Sequence, residues 1–428
     1  MNQFKPHNHT LVEFYDSIID SIDHEKLKEL IDLDNADTVL RAVLSIEEMR
    51  AIGSFFTGQL LTTKAVTSFR RKISQDSVVL DPTCGTGNLL IESSRALPIK
   101  SSLTETLKEW GKVLRGFDMH ESFIEATKLR LILEALSRGS VKDCTISQAF
   151  THLPGIKTAD AMSITRDELA NVTHILMNPP FSSWPAPKEN YWNSGKVNAA
   201  GIIFDHFLRE LPPNCEISAI LPDVLRSGTR YEKWRAFTET KINGDICITG
   251  RFNKKTNVDV FIIHGTLQNA STSQVIQWSP KNPATSKIDN YFDVCIGPLV
   301  AYRDPLDGPL APYAHSNNTP LWENITTLSE QRNFKGRLIT PPFVVVRRTS
   351  SPTNKFRASG AIISETSPVA VENHLIVIKP KNGSLAECEA LLKTLKCSDT
   401  NIFINERIRC RHLTVGVIRE IPFTAKKK

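Results

Sequence analysis

The chain has 428 residues, of which 40% are apolar and 23% are charged, the balance of an ordinary soluble globular protein with two or three domains. No stretch of about eighteen or more apolar residues occurs, so no membrane-spanning helix is expected. The opening residues, MNQFKPHNHT, lack the apolar core of a secretory signal, which predicts an intracellular, cytoplasmic protein. The formal net charge of +6 is modest.

Positive charge is concentrated towards the C-terminus. Residues 271–428 carry 21 Lys and Arg against 13 Asp and Glu, a net charge of +8, whereas residues 1–270 have a net charge of −2. Two interpretations remain open, a module that binds a polyanion and a solvated basic face. The stretch between Glu330 and Glu365 contains basic residues and no acidic ones: Arg332, Lys335, Arg337, Arg347, Arg348, Lys355 and Arg357.

The eight cysteines are scattered and form no CxxC pair. Structural zinc sites and disulfide frameworks both require characteristic cysteine spacings. The sequence therefore predicts reduced cysteines, and no metal site.

The first part of the chain has helical spacing. Between residues 10 and 52 apolar residues recur every three to four positions, which predicts a small helical segment over residues 1–52. From residue 77 short apolar strands alternate with helices, and this alternation predicts a doubly wound parallel sheet of the α/β class. The predicted strands are SVVLD (77–81), VLRGFD (113–118), a weaker segment before Asp160, THILMN (173–178), EISAILP (216–222), ICITGRF (246–252) and VDVFIIHGTL (258–267).

A polar, proline-bearing stretch over residues 268–290 predicts a domain boundary. We therefore expect one domain over residues 53–270 and a β-rich domain over residues 285–428. In the second domain the strongest patterns are the strands FVVVRR (343–348) and HLIVIKP (374–380) and the helix LAECEALLKTLK (385–396).

The segment VVLDPTCGTGNLL (78–90) combines a strand that ends at Asp81 with a turn that opens a helix. Gly85 and Gly87 allow a ligand to approach the backbone closely, as in nucleotide-binding folds. The third glycine of a dinucleotide fingerprint would fall at Leu90, which disfavours a dinucleotide. A simple tight turn between strand and helix is the alternative.

Two further carboxylates follow predicted strands. Asp118 ends the second strand, where its two oxygens can accept hydrogen bonds from both hydroxyls of a ribose; the alternative is a cap for the next helix. Asp160 follows the third strand and is placed to accept a hydrogen bond from an adenine amino group. Asp143 and Asp167 are rival candidates for that role.

The fourth strand ends at Asn178-Pro179-Pro180-Phe181. Two prolines cannot continue a central strand because neither has an N–H for the sheet ladder. The Asn178 amide oxygen and the Pro179 carbonyl are two acceptors that suit an –NH2 group on a planar substrate, and Phe181 offers a face for stacking. The alternative is a strand-terminating turn with a core phenylalanine.

Together these motifs resemble the S-adenosyl-L-methionine-dependent adenine-specific DNA methyltransferases of the gamma class, including type I modification subunits, over residues 50–267. The resemblance implies a Rossmann-like catalytic domain and the cofactor S-adenosyl-L-methionine. Within it, GSFFTGQLL (53–61) places Thr57 near the methionine carboxylate of the cofactor, DPTCGTG (81–87) is the cofactor loop, and NPPF (178–181) is the catalytic motif. The implied cofactor-binding residues are Thr57, Asp81, Pro82, Cys84, Gly85, Gly87, Asp118, Asp160 and Asn178.

The remaining similarity extends the same interpretation. NAAGIIFDHFLREL and EISAILPDVLRSG, within residues 198–228, resemble the following helix and strand of the family. RFNKKTNVDVFII (251–263) resembles the last motif, in which an aromatic residue stacks on a flipped base; Phe252 matches it. The basic C-terminal domain resembles a DNA-recognition domain by position and composition, with Arg347 and Arg348 as candidate DNA contacts.

The resemblance implies methylation of adenine in a specific double-stranded DNA sequence by base flipping, within a restriction-modification or related system and in association with the nucleoid. A cognate restriction endonuclease or specificity subunit is left open as a partner. Two alternatives remain. The same NPPF site serves methyltransferases of ribosomal RNA bases and of protein glutamine, and a non-catalytic nucleic-acid-binding protein could retain the fold.

Overall fold

The computed structural model describes residues 4–19, 22–43, 49, 57–188, 191–252, 258–268 and 275–424. The chain divides into two compact units. The N-terminal unit comprises Met1–Arg226 and Arg230–Gln277, and the C-terminal unit comprises Ser227–Thr229 and Trp278–Lys428. No helix within the described ranges has both the length and the apolar character needed to cross a membrane.

The described part of the N-terminal unit is built on a seven-stranded sheet in the order β3-β2-β1-β4-β7-β9-β8. Its strands are β1 (Val79–Asp81), β2 (Leu114–Asp118), β3 (Ile156–Thr158), β4 (His174–Met177), β7 (Glu216–Pro222), β8 (Ile242–Arg251) and β9 (Asp259–Leu267). The first five strands in this order pair in parallel, whereas β9 pairs antiparallel with both β7 and β8. The predicted α/β class and all seven predicted strands are confirmed.

Helices cover both faces of this sheet. They are α1 (Lys5–Ser17), α2 (His24–Ile31), α3 (Asn35–Val43), α4 (Gln59–Thr67), α5 (Asn88–Ser94), α6 (Leu103–Val113), α7 (Glu121–Ser137), α8 (Ile146–Thr151), α9 (Arg166–Leu169), α10 (Ala199–Glu210), α11 (Asp223–Ser227) and α12 (Glu232–Lys241). Every residue of β1, β4 and β7 is buried, as expected for parallel strands that are covered on both faces. Helices α1 and α2 pack against α7, so the helical N-terminal segment shares one core with the sheet.

A two-stranded hairpin follows the fourth strand and is not predicted by the sequence. Its strands are β5 (Ser183–Pro185) and β6 (Lys196–Asn198), which pair antiparallel. Each strand has only three residues, too few for an alternating pattern to be recognised.

The described part of the C-terminal unit contains a five-stranded sheet, β10-β17-β14-β15-β12, and a three-stranded sheet, β13-β11-β16. The strands are β10 (Phe292–Ile296), β11 (Leu310–Ala314), β12 (Asn324–Ile325), β13 (Gln331–Asn333), β14 (Phe343–Arg347), β15 (Gly360–Ile363), β16 (Ala370–Val371) and β17 (Leu375–Pro380). The helices are α13 (Ile288–Tyr291), α14 (Leu385–Leu395), α15 (Ser398–Arg407) and α16 (Val415–Glu420). The β-rich character and the helix near residue 385 are confirmed, whereas α13, α15 and α16 are additional helices.

Candidate active site

The polar residues that follow the parallel strands meet at one edge of the N-terminal sheet. Strand β1 lies between β2 and β4, and β3 lies on the far side of β2, so the carboxyl ends of these strands open onto one cleft. The cleft holds about 890 Å³ of empty space including its open mouth. The predicted residues in its wall are Thr57, Asp81, Pro82, Cys84, Gly85, Asp118, Asp160, Asn178 and Pro180.

The loop after β1 depends on two glycines with left-handed backbone. Gly85 has φ 53° and Gly87 has φ 84°. A Cβ atom on Gly87 would lie 2.6 Å from Thr127 Cγ2 on α7, and Thr127 Oγ1 donates a hydrogen bond of 2.8 Å to the Gly85 carbonyl. Gly87 lies outside the wall of the cleft; its place is the tight packing of the loop against α7.

Asp118 joins this loop to the end of β2. Its Oδ2 accepts the Gly85 N–H at 3.1 Å and its Oδ1 accepts the His120 N–H at 2.9 Å. Burial raises the pKa of Asp118, and the backbone N–H groups oppose that rise. Each carboxylate oxygen retains a second lone pair with which to accept a hydrogen bond from a ligand.

Asp81 is the most deeply buried carboxyl group in the wall of the cleft. Its Oδ1 accepts the Thr83 N–H at 3.1 Å. Burial raises the pKa of Asp81 to about 8, and the negative charge of Asp118 adds to the rise. A cation bound in the cleft would favour the ionised form of Asp81 and lower its pKa.

The three candidates for the third carboxylate lie in different places. Asp160 lines the cleft, and its Oδ1 accepts the Met162 N–H at 2.9 Å to begin a short 3₁₀ turn. Asp143 lies outside the wall of the cleft and accepts hydrogen bonds from Thr104 and Ser102. Asp167 lies in the first turn of α9, also outside the wall.

Asn178 and Thr57 are directly hydrogen-bonded. Asn178 Nδ2 donates to Thr57 Oγ1 at 2.8 Å, which orients the amide so that Oδ1 is its acceptor end. That oxygen has almost no solvent-accessible surface, so a substrate amine reaches it only after neighbouring groups move. Of the motif GSFFTGQLL (53–61), residues 53–56 lie outside the described ranges.

A hydrogen-bond network connects Thr57 to the N-terminal helices, and the sequence does not predict it. Asn88 Nδ2 donates to the carbonyls of Thr57 at 2.6 Å and Leu33 at 2.8 Å. Arg130 Nη1 donates to Asn88 Oδ1 at 2.5 Å, and its Nη2 donates to the Asp32 carbonyl at 3.0 Å. Arg130 is fully buried, which lowers its pKa to about 10. The turn after α2 thus forms part of the support behind the cleft.

The backbone of the NPPF segment is fixed at its far end. Asn198, the N-cap of α10, donates from Nδ2 to the Phe181 carbonyl at 3.0 Å, and the Ala199 N–H donates to the Ser182 carbonyl at 2.9 Å. Pro180 lines the cleft, whereas Pro179 lies outside its wall.

Phe181 and Phe252 contact each other. Their ring centroids lie 5.7 Å apart at an interplanar angle of 83°, an edge-to-face arrangement. Phe181 is partly buried against the core, and Phe252 is only 5% exposed. A base cannot lie between the two rings in this conformation.

Further residues of the cleft wall are not predicted by the motifs. They are Thr83, Asn88, Leu89, Met119, His120, Ala159, Ala161, Met162, Trp184 and Ile203. All but Trp184 and Ile203 lie within two positions of a predicted residue in the sequence, so proximity to the strand ends is a usable signal. Trp184 comes from the hairpin strand β5, for which the sequence contains no signal.

The predicted DNA contacts lie in the C-terminal unit, where β14 ends. Arg347 Nη2 donates to the Ser316 carbonyl at 3.1 Å, and the Arg348 N–H donates to the His374 carbonyl at 2.9 Å. The pKa of the nearby His412 is lowered by burial and then by the positive charge of Arg348. Among the described residues there is no group of three or more His, Cys, Asp or Glu side chains that could hold a metal ion.

Residues 39–243 match the family model described as N-6 DNA Methylase. Over this segment, just under half of its length, the chain is similar to the N-6 DNA methylases. The matched range includes residues 81–87, Asp118, Asp160 and the NPPF motif. No curated protein sequence is significantly similar to the chain.

Solved structures of restriction-modification enzymes are similar in fold to the chain. The type IIL enzyme MmeI, in complex with DNA, has a TM-score of 0.55 and 12% identity over 91% of this chain and 70% of its own. The type IIG restriction endonuclease BpuSI has a TM-score of 0.45 and 13% identity over 92% of this chain and 61% of its own. A type I methyltransferase subunit from Streptococcus thermophilus has a TM-score of 0.35 and 19% identity over 56% of this chain and 51% of its own. The chain thus spans less than two thirds of the BpuSI enzyme.

Proposed function

We propose that the protein transfers a methyl group from S-adenosyl-L-methionine to the exocyclic amine of adenine in double-stranded DNA, within a restriction-modification or related system. The match of residues 39–243 to the N-6 DNA methylases supports the reaction class. The observation that carries the proposal is the position of Asn178 in the wall of one cleft with the carboxyl groups of Asp81, Asp118 and Asp160.

The donor set of the cleft suits the cofactor. Asp118 can accept hydrogen bonds from two vicinal ribose hydroxyls, and Asp160 can accept one from an adenine amino group. The buried carboxyl group of Asp81 is stabilised as an anion by a positively charged ligand, and the Gly85 turn lets a ligand approach the backbone closely. When bound, S-adenosyl-L-methionine supplies an electrophilic methyl group on a positively charged sulfur.

The chain must activate a weak nucleophile, because the lone pair of the adenine amine is delocalised into the ring. Two acceptors, Asn178 Oδ1 and the Pro179 carbonyl, would bind the two amine hydrogens and stabilise the positive charge that develops on the nitrogen. Thr57 holds the amide nitrogen of Asn178 and so keeps Oδ1 in the acceptor role. Positioning of the amine against the methyl group supplies a further part of the rate enhancement.

The target adenine must leave the duplex to reach this site. Phe181 is the platform on which it would stack, and Phe252 a second one. Because the two rings now contact each other edge to face, binding of a base between them requires Phe252 or Phe181 to move.

The C-terminal unit supplies the positive charge for duplex binding. Arg347 and Arg348 would contact backbone phosphates, which position the protein without specifying the sequence. A cognate endonuclease or a specificity subunit would be a further partner.

Substrate class is tested by incubating the protein with S-adenosyl-L-methionine labelled in its methyl group and with plasmid DNA, ribosomal RNA or a peptide release factor. We expect label in DNA, on N6 of adenine, with methylation-aware sequencing giving the recognition sequence. Label only in RNA or only in the release factor would refute the proposal and select the corresponding alternative.

A further inference from the structure

The C-terminal unit exposes a group of large apolar side chains on one loop. Tyr302 is 89% exposed, Leu306 is 72% exposed and Leu310, the first residue of β11, is 61% exposed. We name residues 297–310 the Tyr302 loop. Scattered single apolar residues need no explanation, but several close together on one segment indicate an interaction surface.

The loop backbone is held from inside. Asp304 Oδ2 accepts the Val300 N–H at 2.7 Å, and the Asp304 N–H donates to the Val300 carbonyl at 2.8 Å. Arg332 Nη2 donates to the carbonyls of Ala301 at 3.1 Å and Asp304 at 2.9 Å. These bonds fix the turn on both sides of Tyr302, so the ring is presented to solvent by a braced backbone.

The far end of the loop is fixed as well. Asn333 Nδ2 donates to the Gly308 carbonyl at 2.9 Å, and the Phe334 N–H donates to the Pro309 carbonyl at 3.1 Å. Gly308 has φ 91°, and a Cβ atom there would lie 2.7 Å from the Lys335 Cα. The loop is therefore packed closely against the segment that carries Lys335.

The surface beside the loop is basic. A concavity there is lined by the exposed cations Arg303, Lys335 and Arg337 and by the acids Asp304 and Asp307. Asp304 is occupied by the Val300 N–H and by Arg303, 3.0 Å away, and the backbone hydrogen bond lowers its pKa. Apart from the Arg303–Asp304 pair, the exposed charges here are those of Lys335, Arg337 and Asp307, so the surface carries a net positive charge, which complements a polyanion.

We propose that the Tyr302 loop is a DNA contact in which Tyr302 packs against a base or deoxyribose face while Arg303, Lys335 and Arg337 neutralise neighbouring phosphates. An exposed aromatic ring gains contact energy on a deoxyribose, or on a base face where a step of the duplex is unstacked, and adjacent cations add affinity through counterion release. The braced backbone lowers the entropy lost on binding. This inference rests on the proposed function, since it takes duplex DNA as the substrate.

The test measures binding of the full-length protein to a fluorescent duplex that contains its recognition sequence, by anisotropy over a range of salt concentrations. We expect Tyr302→Ala to weaken binding about tenfold with an unchanged salt dependence, and Tyr302→Phe to bind nearly as the wild type does. Changing Arg303, Lys335 and Arg337 together to alanine should reduce the slope of log K against log salt by about one for each phosphate that the variant no longer neutralises.

The matched control is Ile402→Ala, which removes an apolar side chain that is 57% exposed on α15 in the same unit. The proposal would be overturned if Tyr302→Ala bound DNA as tightly as this control. It would be overturned even if Tyr302→Ala had lost the binding of a protein partner. Methyl transfer by the wild type is measured in parallel. If the wild type methylates DNA and the Tyr302→Ala variant binds DNA normally, only the loop contact is rejected. If the wild type neither binds nor methylates DNA, the proposed function itself is rejected.

Discussion

The cleft of the N-terminal unit and the basic surface of the C-terminal unit use polar residues in opposite ways. In the cleft, the carboxyl groups of Asp81 and Asp118 are largely withdrawn from solvent and held by backbone N–H groups. At the Tyr302 loop and the concavity beside it, the charged side chains of Arg303, Lys335 and Arg337 are exposed to solvent.

The difference reflects what each region is proposed to do. A reacting amine needs acceptors at fixed positions, and burial makes each hydrogen bond strong and each misplaced group costly. A polyanion is bound by many screened, exposed charges, each of which contributes little. Single substitutions should therefore have large effects in the cleft and small, salt-dependent effects on the basic surface.

The largest effect is expected for Asn178→Ala. Loss of one of the two proposed acceptors should slow methyl transfer by about 100- to 1,000-fold or more and leave cofactor affinity nearly unchanged. Transfer of labelled methyl groups gives the rate and calorimetry gives the affinity. Thr57→Val, which removes only the hydroxyl that receives Asn178 Nδ2, should cause a smaller loss. An Asn178→Ala variant with wild-type rate would remove the proposed role.

Arg130→Met should destabilise the N-terminal unit strongly. The change removes the donors to Asn88 and to the carbonyls of Thr86 and Asp32 and leaves buried acceptors without partners, which costs about 3 kcal/mol in the free energy of unfolding. Urea unfolding measures this. Arg138→Met, at the partly exposed end of the same helix, should cost about 1 kcal/mol. Equal losses of unfolding free energy in the two variants would show that the buried hydrogen-bond network of Arg130 stabilises the protein no more than the partly exposed contacts of Arg138.

Asp81→Asn should raise the stability of the ligand-free protein by an amount that depends on pH. The pKa of Asp81 is raised from 3.8 to about 8, so between these values the unfolded chain releases a proton that the folded protein keeps. The stability of the wild type therefore falls with rising pH, and the advantage of the variant should grow by at most about 1.4 kcal/mol per pH unit. Urea unfolding at about pH 5, 6 and 7, within this window, measures the difference.

Asp143→Asn is a control in which the substitution is expected to change stability in the opposite direction. Burial raises the pKa of Asp143, but hydrogen bonds from Ser102 and Thr104 outweigh burial, so the pKa is lowered overall. The ionised carboxylate therefore stabilises the folded protein above its unfolded pKa, and this contribution is lost as pH falls through the folded pKa. The Asp143→Asn variant should be less stable than the wild type at neutral pH. A stability difference between Asp81→Asn and the wild type that does not vary with pH would contradict the raised pKa of Asp81.

The smallest effect is expected for charge reversal at Arg347 and Arg348. The double change to glutamate should weaken DNA binding about tenfold near 0.1 M salt and reduce the salt slope by about two. Lys393→Glu, an exposed cation on α14, serves as the control for a general change in net charge. Identical salt slopes for the wild type and the double variant would mean that the end of β14 does not face DNA.

The strands and most of the cleft could be predicted from the sequence because their signals are local. Each strand is a short apolar run, and polar residues or glycines mark its end, as at Asp81 and Asn178. Which of Asp143, Asp160 and Asp167 lines the cleft near β3 could not be decided, because all three lie in polar stretches of the sequence. Their distinction depends on the path of the chain in space.

The support behind the cleft was unpredictable for a different reason. Arg130 lies within a helix whose spacing is fully explained by core packing, yet its side chain reaches the turn after α2, almost a hundred residues away in sequence. In α15 a similar limit applies, since the polar residues Thr400 and Arg407 lie on its buried face. Contacts between distant segments decide both cases, and periodicity does not report them.

The hairpin after the NPPF segment is closed independently of the strand that it follows. The hairpin begins after Ser182 and ends at Ala199, where the Ala199 N–H donates a hydrogen bond to the Ser182 carbonyl. A second backbone hydrogen bond, from the Ala186 N–H to the Gly195 carbonyl at 2.8 Å, closes the outer part. A fluorescent or affinity tag inserted in the outer hairpin, away from the buried Trp192 and from Tyr191, which donates a hydrogen bond to Asp205, would report base capture from beside the proposed catalytic amide of Asn178.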